Sequence, residues 1–475
     1  MSKISVIGAG YVGLVTAACF ADMGNQVTLI DIDQSRVQSL NSGILPVHET
    51  GLPELWQRYR ANGSLQVTSQ YAEGLKNSEF AFISVGTPSN SNGKPDLQWV
   101  RLAAKNLAEN TLNPLIVVIK STVPVGTADM VSRILLREKQ IDFDFPLVSN
   151  PEFLREGVAV FDFIHPTRIV IGSADRDASN AVAGLYASIE SPKFFCDNRT
   201  AEMCKYASNV FLANRISFMN EIALLCDELG VDVVQISRIV GLEPRCGEGY
   251  LNAGLGWGGS CLPKDVKGLL YMGRSHHISL PIITAVQQIN QRQIQVPISK
   301  LQRLLGPLNG KYIGILGLSF KPDSNDLREA SSLSLISLLL KHNCHIKAYD
   351  PVAMPEAARL IPSITCCSTP YDVAKDSDAV ILVTEWDEFR TLDLARMSSL
   401  MRNRIIIDGR NFLDPDAVFK AGFLYEGIGR SRKGNEQLAL PKEKPRAEIK
   451  PALSDSFFSS GLAPQKSGNN EKLPV

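Results

Sequence analysis

A glycine-rich turn near the start of the chain constrains the fold more than any other feature. The run Gly8-Ala9-Gly10-Tyr11-Val12-Gly13 follows a short apolar strand at residues 4–7 and precedes a predicted helix at 13–23. In this G-x-G-x-x-G pattern the glycines allow a tight turn and bring the backbone close to a pyrophosphate at the helix N-terminus. The pattern predicts that the chain begins with a doubly wound α/β domain that binds a dinucleotide.

An acidic residue after the next strand bears on the choice of dinucleotide. Asp31 ends a predicted strand at residues 27–30 and lies eighteen residues beyond Gly13. A carboxylate at this position accepts hydrogen bonds from ribose hydroxyls, which favours NAD over NADP. Arg36 argues the other way, because a nearby arginine can hold a 2′-phosphate. The predicted cofactor-binding set comprises Gly8, Gly10, Tyr11, Val12, Gly13, Asp31 and Arg36.

The rest of the chain alternates between two α/β regions and a helical middle. Short buried runs between helices indicate a parallel sheet. Residues 201–229 have apolar side chains at helical spacing and lack proline and glycine, which predicts one long helix. Helical character persists over 281–305, and a second alternating region begins at Tyr312. The predicted fold class is α/β, with two Rossmann-like doubly wound domains joined by a long central helix and a helical middle region.

Boundaries follow from these changes of pattern. We predict an N-terminal domain over 1–199, a central helical domain over 200–305 and a C-terminal α/β domain over 306–430. Residues 431–475 are rich in Lys, Glu, Ser, Pro, Gly and Asn. Such a composition buries too little apolar surface to offset the entropy of ordering, so we predict a disordered tail.

Charge and cysteine content argue against several functions. The 475-residue chain has 49 basic and 49 acidic residues, so nothing in its net charge points to nucleic acid or an anionic membrane. Its nine cysteines are scattered and form no C-x-x-C pair, so we expect no zinc site and no disulfide framework. Cysteines without a disulfide framework favour a reducing cytoplasm. Neither a signal peptide nor an apolar run of about 18 residues is present, so we predict no membrane insertion.

Cys261 stands in an unusual run of small residues, Gly256-Trp257-Gly258-Gly259-Ser260-Cys261-Leu262-Pro263-Lys264-Asp265. We expect the small neighbours to let a substrate carbon approach the sulfur. We also expect the Lys264 ammonium to lower the pKa of the Cys261 thiol toward the reactive thiolate. Asp265 is a candidate acid or base. A dehydrogenase with a nucleophilic cysteine can trap an aldehyde as a thiohemiacetal and oxidise it again.

Polar residues after strands of the first sheet form a second group of candidates. Thr87 and Thr122 carry hydroxyls suited to cofactor, water or substrate, although both are also ordinary turn residues. Glu152 and Glu156 lie four residues apart in the segment 150–157, where they could share one helical face; a solvated helix start is the alternative.

Cationic residues elsewhere complete the candidate set. Lys205 and Asn209 lie four apart on the long helix, where they can bind an oxyanion. A lone lysine on an apolar helix more often extends along its edge to solvent. Lys321 and Arg328 follow the first strand of the second α/β region and could clamp phosphates or carboxylates, or belong to an exposed loop.

Taken together, these motifs resemble the nucleotide-sugar 6-dehydrogenases, the UDP-glucose/GDP-mannose dehydrogenase family, over residues 1 to about 430. The resemblance is carried by segments 150–157, 250–256, 256–265, 321–328 and 408–411. It implies an N-terminal NAD domain, a central helical domain at a homodimer interface, and a C-terminal domain that holds the UDP half of the substrate. Trp257 departs from the family, in which phenylalanine is common at that position, and so bears on the sugar pocket.

The resemblance also implies residue roles. Cys261 is the nucleophile, Lys205 and Asn209 flank the sugar C6, and Asp265 and Glu152 help to activate a water held by Thr122. The NAD side further contains Thr87, Thr122, Glu156, Lys264 and Arg328. The UDP-sugar side contains Glu152, Phe153, Leu154, Arg155, Lys205, Asn209, Tyr250, Leu251, Asn252, Ala253, Gly254, Gly258 and Lys321, with Arg245 reaching in from the neighbouring subunit.

The implied reaction is a four-electron oxidation of UDP-glucose to UDP-glucuronate with two NAD and one water, which supplies polysaccharide biosynthesis. It proceeds through a thiohemiacetal and a thioester on Cys261. Three alternatives stay open: another family substrate such as GDP-mannose or a UDP-N-acetylhexosamine, a two-electron dehydrogenase, and a catalytically silent sugar-nucleotide-binding protein. The motif ending Pro263-Lys264-Asp265 favours UDP-glucose.

Overall fold

The computed structural model describes residues 1–140 and 142–430, so the predicted tail over 431–475 lies outside the described residues. Two sheets dominate this part of the chain. The strands of the first sheet are β1 Lys3–Ile7, β2 Gln26–Ile30, β3 Leu65–Thr68, β4 Phe80–Ile83, β5 Ile116–Ile119, β6 Leu147–Ser149, β7 Ile169–Gly172 and β8 Lys193–Cys196. The second sheet contains β9 Tyr312–Leu316, β10 His345–Tyr349, β11 Thr365–Cys366, β12 Ala379–Leu382, β13 Ile405–Asp408 and β14 Leu424–Glu426.

Helices connect these strands and fill the region between the sheets. They are α1 Tyr11–Asp22, α2 Gln34–Asn41, α3 Leu52–Ala61, α4 Tyr71–Gly74, α5 Gln98–Asn110, α6 Thr127–Glu138, α7 Ala159–Ile164, α8 Arg176–Leu185, α9 Asn198–Leu229, α10 Val233–Leu242, α11 Leu262–Ser275, α12 Pro281–Gln293, α13 Gln295–Leu305, α14 Ser331–Lys341, α15 Met354–Leu360, α16 Pro370–Ala374, α17 Leu394–Leu400 and α18 Pro415–Lys420. A short 3₁₀-helix spans Asp387–Thr391.

Strand order confirms the predicted fold class. The first sheet runs β3-β2-β1-β4-β5-β6-β7-β8 and the second β11-β10-β9-β12-β13-β14. In both, the chain starts near the middle and winds outward in two directions, as in dinucleotide-binding folds. The expectation of a wholly parallel first sheet is wrong at one point, because β7 pairs antiparallel with β6 through Ser149 and Gly172. The short strands β3, β8, β11 and β14 were not predicted.

Both faces of each sheet are buried, which explains why the strands read as continuous apolar runs. In β4, Phe80 and Phe82 pack into one core, while Ala81 and Ile83 pack into a second core on the opposite face. The alternation follows from the two-residue period of a strand. Helices therefore cover both faces, and the open polar edge is the one at the carboxyl ends of the strands.

Helix α9 links the two sheets and starts three residues before the predicted helix. Asp197 caps it by accepting a hydrogen bond from the Thr200 amide, and Gly230 ends it in the left-handed region at φ 69°. Its 32 residues span about 48 Å at 1.5 Å per residue. One side packs against β6, β7, α11 and α12. The division into separate domains at 199 and 305 stays a prediction.

Candidate active site

A large cavity, of about 760 Å³, lies where the carboxyl ends of both sheets face α9 and the start of α11. The first sheet contributes the segment after β6, and the second contributes the loop after β9. Ligands of doubly wound folds bind at this edge. Several predicted catalytic and substrate residues line the cavity: Glu152, Phe153, Leu154, Arg155, Lys205, Asn209, Tyr250, Gly258, Cys261 and Lys321.

Cys261 lies at the N-terminus of α11. It is the residue that precedes the first helical turn, and Asp265 donates its amide to the Cys261 carbonyl at 3.0 Å. The Ser260 hydroxyl lies 3.5 Å from the sulfur. Unpaired amides at a helix N-terminus favour a negative charge, so this position suits a sulfur that becomes anionic during a reaction.

The small residues before Cys261 have a packing role that the sequence did not reveal. A side chain on Gly258 would meet the Glu329 carbonyl oxygen at 2.2 Å, and one on Gly259 would meet the Phe320 ring at 2.7 Å. Gly259 also donates its amide to the Arg328 carbonyl at 3.1 Å. The glycines therefore allow close packing of this turn against the loop after β9, and the expectation that they let a substrate carbon approach the sulfur stays a prediction.

The pKa of the Cys261 thiol is shifted upward overall, which is opposite to the predicted direction. Burial raises the pKa of the thiol, Glu152 adds to that effect, and the ammonium groups of Lys264 and Lys205 only partly oppose it. Lys264 is engaged elsewhere, since its Nζ lies 2.6 Å from Asp265 Oδ1. The net effect of these groups is to favour the neutral thiol of Cys261 over the thiolate.

Lys205 forms a buried ion pair with Glu152. Their charged atoms lie 3.0 Å apart, and only 4% of the lysine side chain and 5% of the glutamate side chain are exposed. Although burial disfavours both charges, the lysine lowers the pKa of Glu152 and the glutamate raises that of Lys205. An ammonium carries three donors, so Lys205 can hold Glu152 and still donate to an oxyanion in the cavity.

Asn209 and Asp265 form a second buried polar pair beside the first. Asn209 Nδ2 donates to Asp265 Oδ2 at 2.6 Å, which leaves one amide hydrogen of Asn209 free to donate elsewhere. Lys205 and Asn209 lie one turn apart on α9 and both line the large cavity. The structure thus places the predicted oxyanion donors on one helical face.

The expectation that Glu152 and Glu156 share a helical face is wrong, because residues 151–157 form an irregular loop. Glu152 faces Lys205, whereas Glu156 lies 3.3 Å from the Ser324 hydroxyl. Burial, followed by Asp326, raises the pKa of Glu156 to about 7. Glu156 lines the large cavity, although it was predicted on the NAD side.

Lys120 is a buried cation that sequence reasoning missed. Its Nζ donates to Asn150 Oδ1 at 3.0 Å and to the Tyr186 hydroxyl at 3.2 Å, and it lines the large cavity. Burial lowers the pKa of Lys120 to about 8. The available signal was its position, directly before Ser121 and Thr122 at the end of an apolar strand.

A second cavity, of about 570 Å³, opens beside the glycine-rich turn. A side chain on Gly13 would meet the Gly8 carbonyl oxygen at 1.8 Å, whereas nothing lies within 4 Å of a side chain built on Gly10, so the turn is tight yet open. The Tyr11 hydroxyl has no partner among the described residues and lies where the two cavities adjoin. These residues fit a dinucleotide, and the cavity that would hold it adjoins the one that contains Cys261.

Asp31 and Arg36 both line this second cavity, as predicted for the cofactor site. Asp31 accepts the amides of Ala9 at 2.7 Å and Asp33 at 2.9 Å, and Arg36 Nη1 lies 3.1 Å from its carboxylate. Arg36 Nη2 also lies 3.7 Å from Asp33, so the guanidinium is held between two carboxylates. That arrangement disfavours a 2′-phosphate and supports NAD.

Apart from Arg328, the remaining predicted site residues that the structure describes do not line the two large cavities. Thr87 donates its hydroxyl to the Thr122 carbonyl at 2.7 Å, and Thr122 lines a separate cavity of about 10 Å³ beside Lys205. Arg245 is exposed and paired with Glu243 at 2.8 Å. Arg328 lines the dinucleotide cavity. The segment of Leu251, Asn252, Ala253 and Gly254 lines neither large cavity.

Trp257 is held firmly in the wall of the large cavity. Its indole donates to the Ser217 hydroxyl on α9 at 3.0 Å, and its ring packs with Val210, Val266 and Leu270. One side still lines the large cavity. A tryptophan in place of phenylalanine therefore adds a hydrogen bond that fixes the cavity wall.

All nine cysteines are free thiols. Across residues 1–140 and 142–430, no cluster of three or more His, Cys, Asp or Glu side chains could hold a metal ion. Nor is any described helix both long and apolar enough to cross a membrane.

Comparison with known proteins relates this geometry to one family. Residues 2–190, 199–292 and 314–415 match the NAD-binding, central and UDP-binding domains of the UDP-glucose/GDP-mannose dehydrogenase family. UDP-glucose 6-dehydrogenase TuaD of Bacillus subtilis is 40% identical over 431 residues, covering 90% of this chain and 94% of its own. The UDP-glucose 6-dehydrogenase of Pseudomonas aeruginosa is 42% identical over 446 residues, covering 91% and 98%. A UDP-glucose dehydrogenase structure from Pyrobaculum islandicum superposes with a TM-score of 0.86 at 37% identity, covering 91% and 98%.

Proposed function

The chain belongs to the UDP-glucose/GDP-mannose dehydrogenase family, and from that membership we propose its activity: it catalyses the NAD-dependent oxidation of UDP-glucose to UDP-glucuronate. One observation carries the mechanism. Cys261, Lys205 and Asn209 line a single cavity that adjoins the dinucleotide cavity at Tyr11. The silent-binding alternative is disfavoured, because such a protein has no need for a thiol beside two buried oxyanion donors.

The cofactor and the sugar nucleotide occupy the two cavities. Gly8, Gly10, Asp31 and Arg36 hold the dinucleotide, and its glycine turn admits the pyrophosphate to the N-terminus of α1. Bound NAD accepts a hydride from the sugar C6 in each of two oxidations. Lys321 on the wall of the larger cavity suits the diphosphate of the substrate.

The first oxidation converts the C6 alcohol into an aldehyde, and its hydroxyl proton passes to the Asp265 carboxylate and then to solvent. The Cys261 sulfur next forms a bond to C6, and the thiol proton ends on the former carbonyl oxygen. The product is a thiohemiacetal. Lys205 and Asn209 donate to that oxygen, and they stabilise the negative charge that develops when its proton leaves during the second oxidation.

The second oxidation leaves a thioester between C6 and Cys261. Glu152 or Asp265 accepts a proton from a water whose oxygen attacks the thioester carbon. The C–S bond then breaks, and the sulfur leaves as a thiolate at the N-terminus of α11, where the helix amides favour the charge. The product carboxylic acid loses its proton, and the thiolate takes up one proton to regenerate the thiol. In sum, UDP-glucose, two NAD and one water give UDP-glucuronate, two NADH and three protons.

A panel of nucleotide sugars tests the substrate and the stoichiometry together. We expect NADH formation with UDP-glucose, little with GDP-mannose or a UDP-N-acetylhexosamine, and two NADH for each UDP-glucose consumed. NADH is followed by absorbance, and the sugar nucleotides by chromatography. One NADH per sugar would point to the two-electron alternative, and preference for another sugar would contradict the substrate assignment.

A homodimer through α9 is a further part of the proposal. Phe211, Phe218 and Leu225 lie seven residues apart along one side of α9 and are 58%, 52% and 56% exposed in the single chain. Such a stripe suits a symmetric partner surface. A cytoplasmic location is also proposed, since nine free cysteines suit a reducing compartment.

Phe218→Arg tests the dimer. We expect the variant to sediment as a monomer at concentrations where the wild type sediments as a dimer, because an arginine in an apolar interface loses its hydration. Leu112→Arg is the matched control, since Leu112 is 75% exposed and lies outside the stripe. A monomeric wild type, or a dimeric Phe218→Arg variant, would contradict the interface.

A further inference from the structure

Glu202 is a buried carboxylate that the mechanism above does not use. It lies on α9, is 3% exposed, and accepts two backbone hydrogen bonds from the start of α6. Its Oε2 accepts the Gly126 amide and its Oε1 accepts the Ala128 amide, each at 2.7 Å. One side chain thus fastens α9 to the turn that joins β5 to α6.

The position of Glu202 relates this contact to the chemistry. Glu202, Lys205 and Asn209 follow one another at helical spacing on the same buried face of α9. The fastened turn, residues 121–126, begins with Ser121 and Thr122, which follow β5. Thr122, Glu202 and Lys205 line the same small cavity of about 10 Å³, whose volume is about that of one water molecule.

We propose that Glu202 is a positioning residue for the oxidation of UDP-glucose: its ionised carboxylate holds the Thr122 turn in register with Lys205. It touches neither substrate nor cofactor, and the inference rests on the proposed function. Two charge-assisted hydrogen bonds from backbone amides are stronger than neutral ones. Without them the turn and the lysine can move independently, and the geometry around C6 loosens.

Both hydrogen bonds need the ionised carboxylate. If Glu202 were protonated, one of its oxygens would carry a hydrogen that faces an amide donor. Burial raises the pKa of Glu202 to about 7, although the amides of Ala128 and Gly126 oppose that effect. The charged and titratable groups near it are Asp129 on α6, and Arg199, Lys205 and Tyr206 on α9. Arg199 is already paired with Asp129 at 2.7 Å, so it offsets the negative charge of Glu202 only in part. The positioning should therefore be complete above neutral pH and lost below it.

Glu202→Gln provides the test, because a glutamine mimics the protonated carboxyl at every pH. We expect the ratio of wild-type to variant kcat to be within about twofold at about pH 6 and to reach about tenfold at about pH 9. KM for UDP-glucose should change little, because Glu202 does not touch the sugar. Other groups that titrate near pH 7, such as Glu156, cancel in the ratio.

A second readout does not depend on activity. Hydrogen exchange of the segment 123–130, followed by mass spectrometry, should be faster in Glu202→Gln than in the wild type at the same alkaline pH. Asp378→Asn is the matched control, because Asp378 is also buried and accepts a backbone amide, from Tyr312 at 2.9 Å, far from the cavity. It should leave both the kcat ratio and the exchange of 123–130 unchanged.

The outcomes separate this proposal from the proposed function. If the wild type forms no NADH from UDP-glucose, the exchange experiment still tests the contact. A ratio that is independent of pH, an unchanged kcat in Glu202→Gln, or an equal loss in Asp378→Asn would overturn the positioning role. Should Glu202→Gln fail to fold, Glu202→Asp keeps the charge with a shorter reach. In Glu202→Asp we expect faster exchange of residues 123–130 than in the wild type, and a smaller loss of kcat than the one expected for Glu202→Gln. Wild-type values of both quantities in Glu202→Asp would overturn the proposal.

Discussion

Cys261→Ser is expected to abolish net formation of the sugar acid while the first oxidation remains measurable. A serine hydroxyl is a far weaker nucleophile than a thiol, and an ester is released more slowly than a thioester. Formation of UDP-glucuronate should fall by about 10³-fold or more. Chromatography of the sugar nucleotides, together with NADH in a single turnover, measures the two oxidations separately.

Cys366→Ser is the matched control for that experiment. Cys366 is exposed in the second sheet and lines neither large cavity, so the same substitution there should leave turnover unchanged. In the wild type, mass spectrometry of acid-quenched protein should detect the sugar attached through Cys261. Wild-type output of UDP-glucuronate from Cys261→Ser would contradict the role of the nucleophile.

The thiol pKa decides when this nucleophile becomes active. Burial and Glu152 raise the pKa of Cys261, and the cations beside it are paired with carboxylates. We therefore expect the Cys261 thiol to react slowly with alkylating agents and oxidants. Addition to the aldehyde is aided instead by Lys205 and Asn209, which stabilise the oxygen as it gains charge. The reactivity of the sulfur is thus linked to the presence of the substrate.

Sequence patterns predicted what depends on local geometry. The glycine turn, the strands of four or five apolar residues and the long helix each follow from spacing along a few residues. Lys205 and Asn209 were correctly placed together, because residues four apart share a helical face in any helix. The same rule failed for Glu152 and Glu156, since it applies only where a helix forms, and the proline at 151 begins a loop there.

Long-range contacts were beyond the same reasoning. The partner of Lys264 is Asp265, that of Lys205 is Glu152, and that of Glu202 is the start of α6. The partners of Lys205 and Glu202 depend on how α9 crosses the first sheet, and the spacing of residues along the sequence does not reveal that crossing. The antiparallel pairing of β6 with β7 was missed for a related reason. The direction of a strand is set by the connection that leads to it and not by the composition of the strand. The packing role of the small residues beside Cys261 was likewise not predicted, since the loop that packs against them is about sixty residues away in sequence.

Lys205→Met is expected to lower both stability and catalysis, and a second substitution can separate the two. The single variant leaves the Glu152 carboxylate buried without its partner. We expect the free energy of unfolding to fall by about 3–5 kcal/mol. Loss of the oxyanion donor should lower kcat by about 10²–10³-fold. Chemical denaturation and initial rates of NADH formation measure the two effects independently.

The double variant Lys205→Met/Glu152→Gln removes the uncompensated charge. It should recover most of the lost stability, because breaking one member of a buried ion pair costs more than replacing both. Its kcat should stay as low as that of Lys205→Met, because stability is restored without an oxyanion donor. Lys300→Met is the matched control: Lys300 is buried and pairs with Glu426 at 3.4 Å and with the partly exposed Asp227 at 2.8 Å, so that variant should lose stability but keep its kcat. If the double variant instead regained activity along with stability, Lys205 would be only a structural partner of Glu152. The oxyanion would then depend on Asn209 and the helix amides at Cys261.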